Sequence, residues 1–430
     1  MTVNYPLFFS VNLRCINMHI VNKILSYFPH RHLFIVGVLG LIVGLVSSKA
    51  LLSIAMMVIV GNALLNNNVL ANFKTWLSEP ASVLFLLFFL SYIISGIYSE
   101  DKIYWMERCR IKLPFIALPL GFAAVKPLSK KLLNRFLLVF VLVIGIASLW
   151  MMINYLSDFT HLNELIKQGK PIPAPMNEHI RFSLEMAFAI ICGGYLIADS
   201  TNQIAKWLKY ILVFITLFLL IAIHVFAVRS GIVALYSSLF CIVLVYIFAQ
   251  KKIVIGISIL VLLFTMAWAS LQFIPSLENK FGYFKYELQM IRNNEIKAEH
   301  SDAQRLVSMQ LGTEIIRQHW LAGVGAGDIK TAMKAQYDLK YPNKDFAIMT
   351  PHNQFIYVWV CTGIFGLLIF ITAFFYPVFL IGIKNNILMI AFLVTTLVSI
   401  MTEHPFEIQL GTAFYMLFIA LFLQHKKLKV

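Results

Sequence analysis

Apolar residues run through this chain in long blocks, not in the single-face stripes of a helix in a water-soluble protein. The blocks lie at 33–48, 50–65, 81–98, 112–126, 132–156, 180–198, 208–227, 231–249, 253–271, 353–382, 385–403 and 409–424. A helix rises about 1.5 Å per residue, so about 20 apolar residues match a hydrocarbon core of about 30 Å. The pattern predicts an all-α polytopic membrane protein with about 12 transmembrane helices. Blocks 50–65 and 112–126 are short enough to be tilted or re-entrant. One boundary needs an argument, because 208–249 reads as a single apolar stretch. As one helix it would run about 63 Å, twice the membrane core. A tight turn at Val228-Arg229-Ser230 resolves the length and puts Arg229 at an interface.

Composition agrees. The chain is 60% hydrophobic and 13% charged, where soluble domains carry about 25% charge. A net charge of +15 would raise the question of nucleic acid, but no basic stripe with interleaved aromatics appears, and no nucleic-acid partner is expected. The basic residues sit at block ends, as at Lys126, Lys130, Lys131 and Arg135, at Lys251-Lys252 and at Lys426-Lys427. With the N-terminus inside, these clusters fall on the cytoplasmic side beside two acids, Glu79 and Asp199, in keeping with the positive-inside rule. The five cysteines (Cys15, Cys109, Cys192, Cys241, Cys361) are scattered, without metal spacing, and predict no disulfide framework. No small-residue cleavage site follows a short apolar core at the N-terminus, so no removable signal peptide is expected.

Two outside segments then stand out. Residues 157–179 carry Pro171, Pro173 and Pro175 and read as an extended connection. The larger is a loop at 272–352, dividing nine spans in 1–271 from three in 353–430. Within it, 302–320 has helical periodicity, with Leu306, Met309, Ile315, Ile316 and Trp320 apolar. Ser301-Asp302 offers N-cap chemistry, and Gly323-Val-Gly-Ala-Gly327 stops the helix. That glycine run lacks the preceding strand of a nucleotide fingerprint and reads as a turn.

Ionisable groups near the membrane are costly and mark candidate chemistry. Arg229 opens a helix, whose free N–H groups and dipole, with a guanidinium fork, suit a phosphate; the alternative is a snorkelling anchor for the turn. Arg305 lies in the first turn of the loop helix, and Arg317 further along it is a weaker candidate. His352, with Asn353 after it, stands where the loop re-enters the membrane, and could accept a proton from a hydroxyl or serve as an interfacial cap. His179 and Arg181 open another span from outside, and Glu403 and Glu407 flank a third outer turn; both pairs also suit structural anchors. His224 reads as a hydrogen-bonded core residue. No Asp-x-Asp or acidic pair is seen outside to hold a divalent cation, so neither metal nor cofactor is expected.

Three elements occur in order: Ala227-Val-Arg-Ser-Gly231, the segment Arg305…Trp320-Leu-Ala-Gly-Val-Gly325, and Pro351-His-Asn-Gln-Phe355 followed by Gly363-Ile-Phe-Gly366. Together with the loop and the topology, over roughly 180–424, they resemble the O-antigen ligase and polymerase superfamily, most closely its ligase branch. The resemblance implies a GT-C-like inverting glycosyltransferase in a bacterial inner membrane, its site facing the periplasm. It would take a glycan from undecaprenyl diphosphate to a sugar hydroxyl of lipid A–core. Arg229 and Arg305 would bind the donor diphosphate and His352 would be the base, with Asn353, His179, Arg181, Glu403 and Glu407 as possible support.

Rival readings remain. An O-antigen polymerase often has two sizeable outer loops with Arg-x10-Gly patterns, which neither Arg305 nor Arg317 shows. A protein O-oligosaccharyltransferase often carries an extra soluble C-terminal domain, which is not expected here. A polysaccharide transporter or flippase would favour paired repeats and charges near mid-membrane.

Overall fold

A computed structural model describes residues 30–66, 68–199, 205–293, 301–342, 347–381 and 386–426. Cys15, Lys427, the side chain of Ser301 and two stretches of the outer loop, 294–300 and 343–346, lie outside the described residues. The elements are helical throughout. They are α1 (His30–Ser47), α2 (Lys49–Leu64), α3 (Val69–Leu77), α4 (Pro80–Ser95), α5 (Lys102–Lys112), α6 (Pro114–Ala123), α7 (Lys130–Ser157), α8 (Phe159–Lys167) and α9 (His179–Ala198), followed by α10 (Lys206–Val225), α11 (Arg229–Gln250), α12 (Ile253–Phe273), α13 (Pro275–Arg292), α14 (Ser301–His319), α15 (Ile329–Lys340), α16 (Gln354–Ile381), α17 (Ile387–Thr402) and α18 (Gln409–Lys426). Starts follow local chemistry. Ser48, Asp101, Ser129 and Asn386 cap α2, α5, α7 and α17 through their side-chain oxygens, and Pro80 and Pro114 sit at first-turn positions where no N–H partner is needed.

Among the described residues, seven helices are long and apolar enough to cross a membrane: α1, α7, α9, α10, α11, α12 and most of α16, or eight spans if α2 and α3 form one bent crossing. Three shorter apolar helices, α4, α17 and α18, join them. The protein is a multi-pass helical membrane protein. The block at 112–126 yields the 10-residue α6, about 15 Å long and half a hydrocarbon core.

Two helices mark the limits of the bundle. In α9, 72% of the apolar window is buried against neighbours, and in α12 only 6%. The first is a central post and the second an outer helix with most of its side chains free for lipid. Between α7, α9, α17 and α18 the core is aromatic: Phe188 lies 4.9 Å from both Phe392 and Phe418, and Phe140 4.8 Å from Phe418, in edge-to-face contacts. Lipid tails are as apolar as these side chains, so such packing, not removal from water, holds the helices together. His224 behaves as a core residue, bonded to the Leu220 carbonyl and the Tyr236 hydroxyl. The described cysteines are free.

The expected loop helix at 302–320 is α14, and it is fastened to the bundle through backbone. Val307, Leu311, Ile315 and Ile316 are its buried face, while Leu306 and Met309 line cavities and Trp320 is exposed. After it, Gly323 (φ 72) and Gly325 (φ 94) turn the chain in left-handed conformations. Val324 N donates to Val360 O (2.8 Å) and Gly325 N to Cys361 O (3.1 Å), while Ile364 N donates to Trp320 O (3.0 Å). Those partners are free because Gly363 breaks the ladder inside α16 at φ 68, ψ −172, a region open essentially to glycine alone. A Cβ on Gly363 would also run into the Leu321 carbonyl. Ser95, the last residue of α4, and Ser99 beyond it accept from Ala326 N and Gly327 N, completing the clamp. Gly363→Ala is therefore expected to destabilise by at least about 1–3 kcal/mol, read as a lower unfolding temperature in detergent; an unchanged transition would contradict the clamp.

Candidate active site

Arg229 reaches its position through a turn of three residues. The chain leaves α10 at Val225, passes Ala227 in the left-handed region (φ 52) and re-enters helix at Arg229. Gly231 lets α11 start hard against Ser183 of α9, where a Cβ would have no room. The predicted tight turn is thus present. The Arg229 guanidinium stacks over the Phe284 ring of α13 (5.0 Å), and its Nη2 lies 2.5 Å from Asp302 Oδ2 at the start of α14.

Arg305, one helical turn beyond Asp302, is 3.8 Å from that carboxylate and 2.8 Å from Glu403 Oε1, at the end of α17. Both arginines, Asp302 and Glu403 line one cavity of about 800 Å³, together with His179 and Lys280. Its apolar walls include Phe226, Val233, Leu306, Met309 and Val398. The arginines are joined by carboxylates that occupy the forks a phosphate would fill, since both anions accept the same paired N–H donors.

Two further groups on α13 set its charge. Lys280 donates to the Gly169 carbonyl (2.6 Å), and burial and the Arg229 charge push its ammonium down to about 8. Glu287 is fully buried and accepts from Asp302 N (3.3 Å). Burial and the Asp302 carboxylate push its carboxyl up to about 7.

His352 lies behind the lining of this cavity, next to Glu403, which faces it. One ligand atom from each of His352, Glu403 and His404 lies within 4.8 Å of the others. Its Nδ1 is 3.1 Å from the Thr350 carbonyl. A carbonyl only accepts, so the proton sits on Nδ1 and the Nε2 lone pair is left free. Ser308 Oγ of α14 accepts from the same nitrogen at 3.4 Å and from His352 N at 3.2 Å, and donates to the Arg305 carbonyl. Burial holds the imidazole below its ordinary pKa, so it is neutral at pH 7, against an opposing pull from Glu403. The ring meets His404 edge-on at 4.9 Å. Burial and His352 push His404 down to about 3, and Tyr357 stacks on it at 5.4 Å.

His352, Glu403 and His404 are, among the described residues, the group that could hold a metal ion. The Arg305 guanidinium already occupies Glu403, and an adjacent cation opposes a second one.

The remaining candidates are structural neighbours. Asn353 caps α16, its Oδ1 accepting from Phe355 N and Ile356 N, while its amide donates to the Met401 carbonyl (2.9 Å) and so ties His352 to the end of α17. Arg181 pairs with Glu178 at 2.6 Å. Glu407 is buried 2.7 Å from Lys112 Nζ and also accepts from Tyr92 Oη (3.1 Å) and Gln354 Nε2 (2.9 Å). Burial would raise its carboxyl, but Lys112 and Arg108 outweigh this and hold it below the usual range. Arg317 pairs with Glu314 on the exposed face of α14.

Residues 186–371 match the family model described as O-antigen ligase. The matched stretch takes in Arg229, Asp302, Arg305 and His352 together. Over that stretch, less than half of its length, the chain is similar to the O-antigen ligase family.

No curated protein matches the chain. The O-antigen ligase match is narrower than the resemblance at 180–424, leaving Glu403 and Glu407 outside it. Sequence reasoning missed Lys280, Glu287 and His404, and saw Asp302 only as a cap. The Asp302-x-x-Arg305 spacing on the loop helix could have flagged one ion pair. Lys280 and Glu287 carry no such signal, because their role depends on how α13 folds back over the cavity.

Proposed function

We propose that this protein is an O-antigen ligase, a metal-independent inverting glycosyltransferase of GT-C type. It moves a glycan from undecaprenyl diphosphate to a sugar hydroxyl of lipid A–core on the periplasmic face of the inner membrane. The observation that carries the reading is the convergence of Arg229 and Arg305 on one cavity, with the free Nε2 of a neutral His352 beside it. A transporter does not require that convergence. In this reading the loop at 272–352 is the module that brings Asp302 and Arg305 over the membrane end of α11.

The diphosphate displaces Asp302 and Glu403 from the two guanidinium forks, and Lys280 adds a third positive charge. The acceptor oxygen attacks the anomeric carbon from the side opposite the diphosphate. His352 Nε2 takes the hydroxyl proton as the new C–O bond forms. The bond from the anomeric carbon to the diphosphate oxygen breaks, and undecaprenyl diphosphate leaves with its charge neutralised by the arginines. Fixed cations supply the electrostatic stabilisation that a divalent ion gives elsewhere. Treatment with EDTA is therefore expected to leave the rate unchanged.

The test is genetic. In a strain deleted for this gene, wild type should restore long O-glycan on lipid A–core, while Arg229→Ala combined with Arg305→Ala should leave bare core and accumulated lipid-linked glycan at equal membrane levels. A deletion strain that shows single repeat units on the core would make the protein a polymerase instead.

Charge in the donor cavity also predicts a pH effect. Glu287 is protonated below about 7 and ionises above it, and Lys280 loses charge above about 8. Both changes make the cavity less positive. Donor KM is expected to rise as pH rises through 7, and Glu287→Gln should remove the lower of the two steps. A flat donor KM from pH 6 to 8 in the wild type would contradict this.

A further inference from the structure

A second, larger cavity of about 1040 Å³ lies on the other side of His404. The wall between the two cavities is thin in sequence. Glu178 lines the second cavity and His179 the first, and His404 lines the second and Glu403 the first. Consecutive residues at the start of α9 and at the end of α17 thus face opposite cavities, and His352 packs against that wall.

The second cavity is amphiphilic along its length. Its polar end carries Lys49, Arg108, Arg110 and Lys330 with Glu107, Glu178 and Glu407. Every acid there has a basic partner: Glu107 meets Arg108 at 2.9 Å, Glu178 meets Arg181 and Lys49, and Glu407 meets Lys112. Arg110 and Lys330 pair with no carboxylate among the described residues. Lys330 instead lies over the Tyr104 ring at 4.1 Å, while Arg108 covers the same ring at 4.5 Å. Unneutralised positive charge is therefore left at this end, and both side chains are exposed.

From there an apolar wall descends along α2 through Met56, Met57, Val60 and Leu64, faced by Leu113 and Ala117. Met57 and Leu64 are among the exposed apolar residues, so the wall opens sideways. From Ser53 to Leu64 the wall spans about 16 Å of helix, a depth suited to acyl chains and not to a free sugar.

We infer that this second cavity is the acceptor site. It takes a phosphorylated, lipid-anchored saccharide, with Arg110 and Lys330 on its phosphate groups and the α2 wall against its acyl chains. The inference rests on the ligase reading for the word acceptor, but not for the binding chemistry. A donor held by Arg229 and Arg305 and an acceptor held by Arg110 and Lys330 meet across the wall that carries His352. The two lipid-linked substrates thus enter from different sides and need not pass each other.

The experiment uses the full chain in lipid nanodiscs, with purified lipid A–core lacking O-glycan as the probe. Arg110→Ala/Lys330→Ala is expected to raise acceptor KM by about tenfold or more, equivalent to about 1.4 kcal/mol, with donor KM within twofold of wild type. Arg229→Ala should do the reverse. An unchanged acceptor KM, or an equal rise in both constants, overturns the assignment. Direct binding of the same probe to His352→Ala protein, with and without the two substitutions, separates the site from the ligase reading. If wild type transfers no glycan but the probe still binds and depends on Arg110 and Lys330, the ligase reading fails and the site stands. If the probe does not bind, or binds regardless of both residues, the site fails. Dephosphorylated lipid A–core and the deacylated core saccharide should each bind at least about tenfold more weakly; equal binding of either form refutes the corresponding half of the proposal.

Discussion

His352→Ala is expected to lower kcat by about 10²–10⁴-fold, the range typical of a removed general base, while donor KM stays near the wild-type value. The argument is geometric first. The Thr350 carbonyl fixes the proton on Nδ1, so Nε2 is the free base, and Asn353, the following residue, is tied through its own amide to the Met401 carbonyl at the end of α17. Burial lowers the imidazole pKa from its ordinary 6.5. The sign follows: protonation removes the base, so kcat falls on acidification only below the ordinary imidazole range and is flat above it on this group's account. In His352→Ala the residual rate should lose that acid limb. Retention of both rate and limb would remove His352 from the chemistry. Loss of the rate with the limb intact would assign the titration to another group.

Glu407→Gln is expected to destabilise the protein by about 3–5 kcal/mol, because it leaves Lys112 buried without a counter-charge, and Lys112→Met by less, because Arg108 still faces Glu407 at 3.8 Å. Lys112 is fully buried and Glu407 nearly so, 2.7 Å apart. The combined Lys112→Met/Glu407→Gln protein removes both charges and is expected to recover most of the loss, since replacing a buried pair by neutral groups is often close to neutral. Thermal unfolding in detergent reads all three variants. A double variant that loses the sum of the two single effects would show that hydrogen bonds to Tyr92 and Gln354, and not the ion pair, dominate. Gln354 also accepts from Phe406 N at 2.9 Å, so the network holds the turn that carries His404 beside His352. Glu407 thereby supports the site from below without facing the donor cavity.

Much of this was legible in the chain. The turn at Arg229 followed from the length of an apolar run that no membrane could hold as one helix. The loop helix followed from periodicity and from glycines at its end. Gly363 was visible as part of a motif, but its reason was not: only the fold shows that it frees carbonyls of α16 for the Gly323–Gly325 strand of loop. About 12 spans were expected; among the described residues seven helices, or eight spans with the bent pair, are long and apolar enough to cross, and block 112–126 holds a 10-residue helix. The ion pairs Arg229–Asp302, Arg305–Glu403 and Lys112–Glu407 join residues on different helices, and no local spacing encodes such pairs. His404 escaped notice for the same reason, being one residue from Glu403 yet facing another cavity.

The Lys112–Glu407 pair also has a history in time. Its partners are 295 positions apart, and ribosomes add about 5–20 residues per second. For about 15–60 s of synthesis, then, Lys112 exists without the carboxylate that makes its burial tolerable. During that interval the segment around α5 and α6 is best kept at the water interface, and the short α6 suits a piece that sinks into place late. The same holds for Arg305, which waits for Glu403. Biogenesis should therefore end with a concerted closing step once α17 and α18 arrive, before which the nascent bundle has helices but no site.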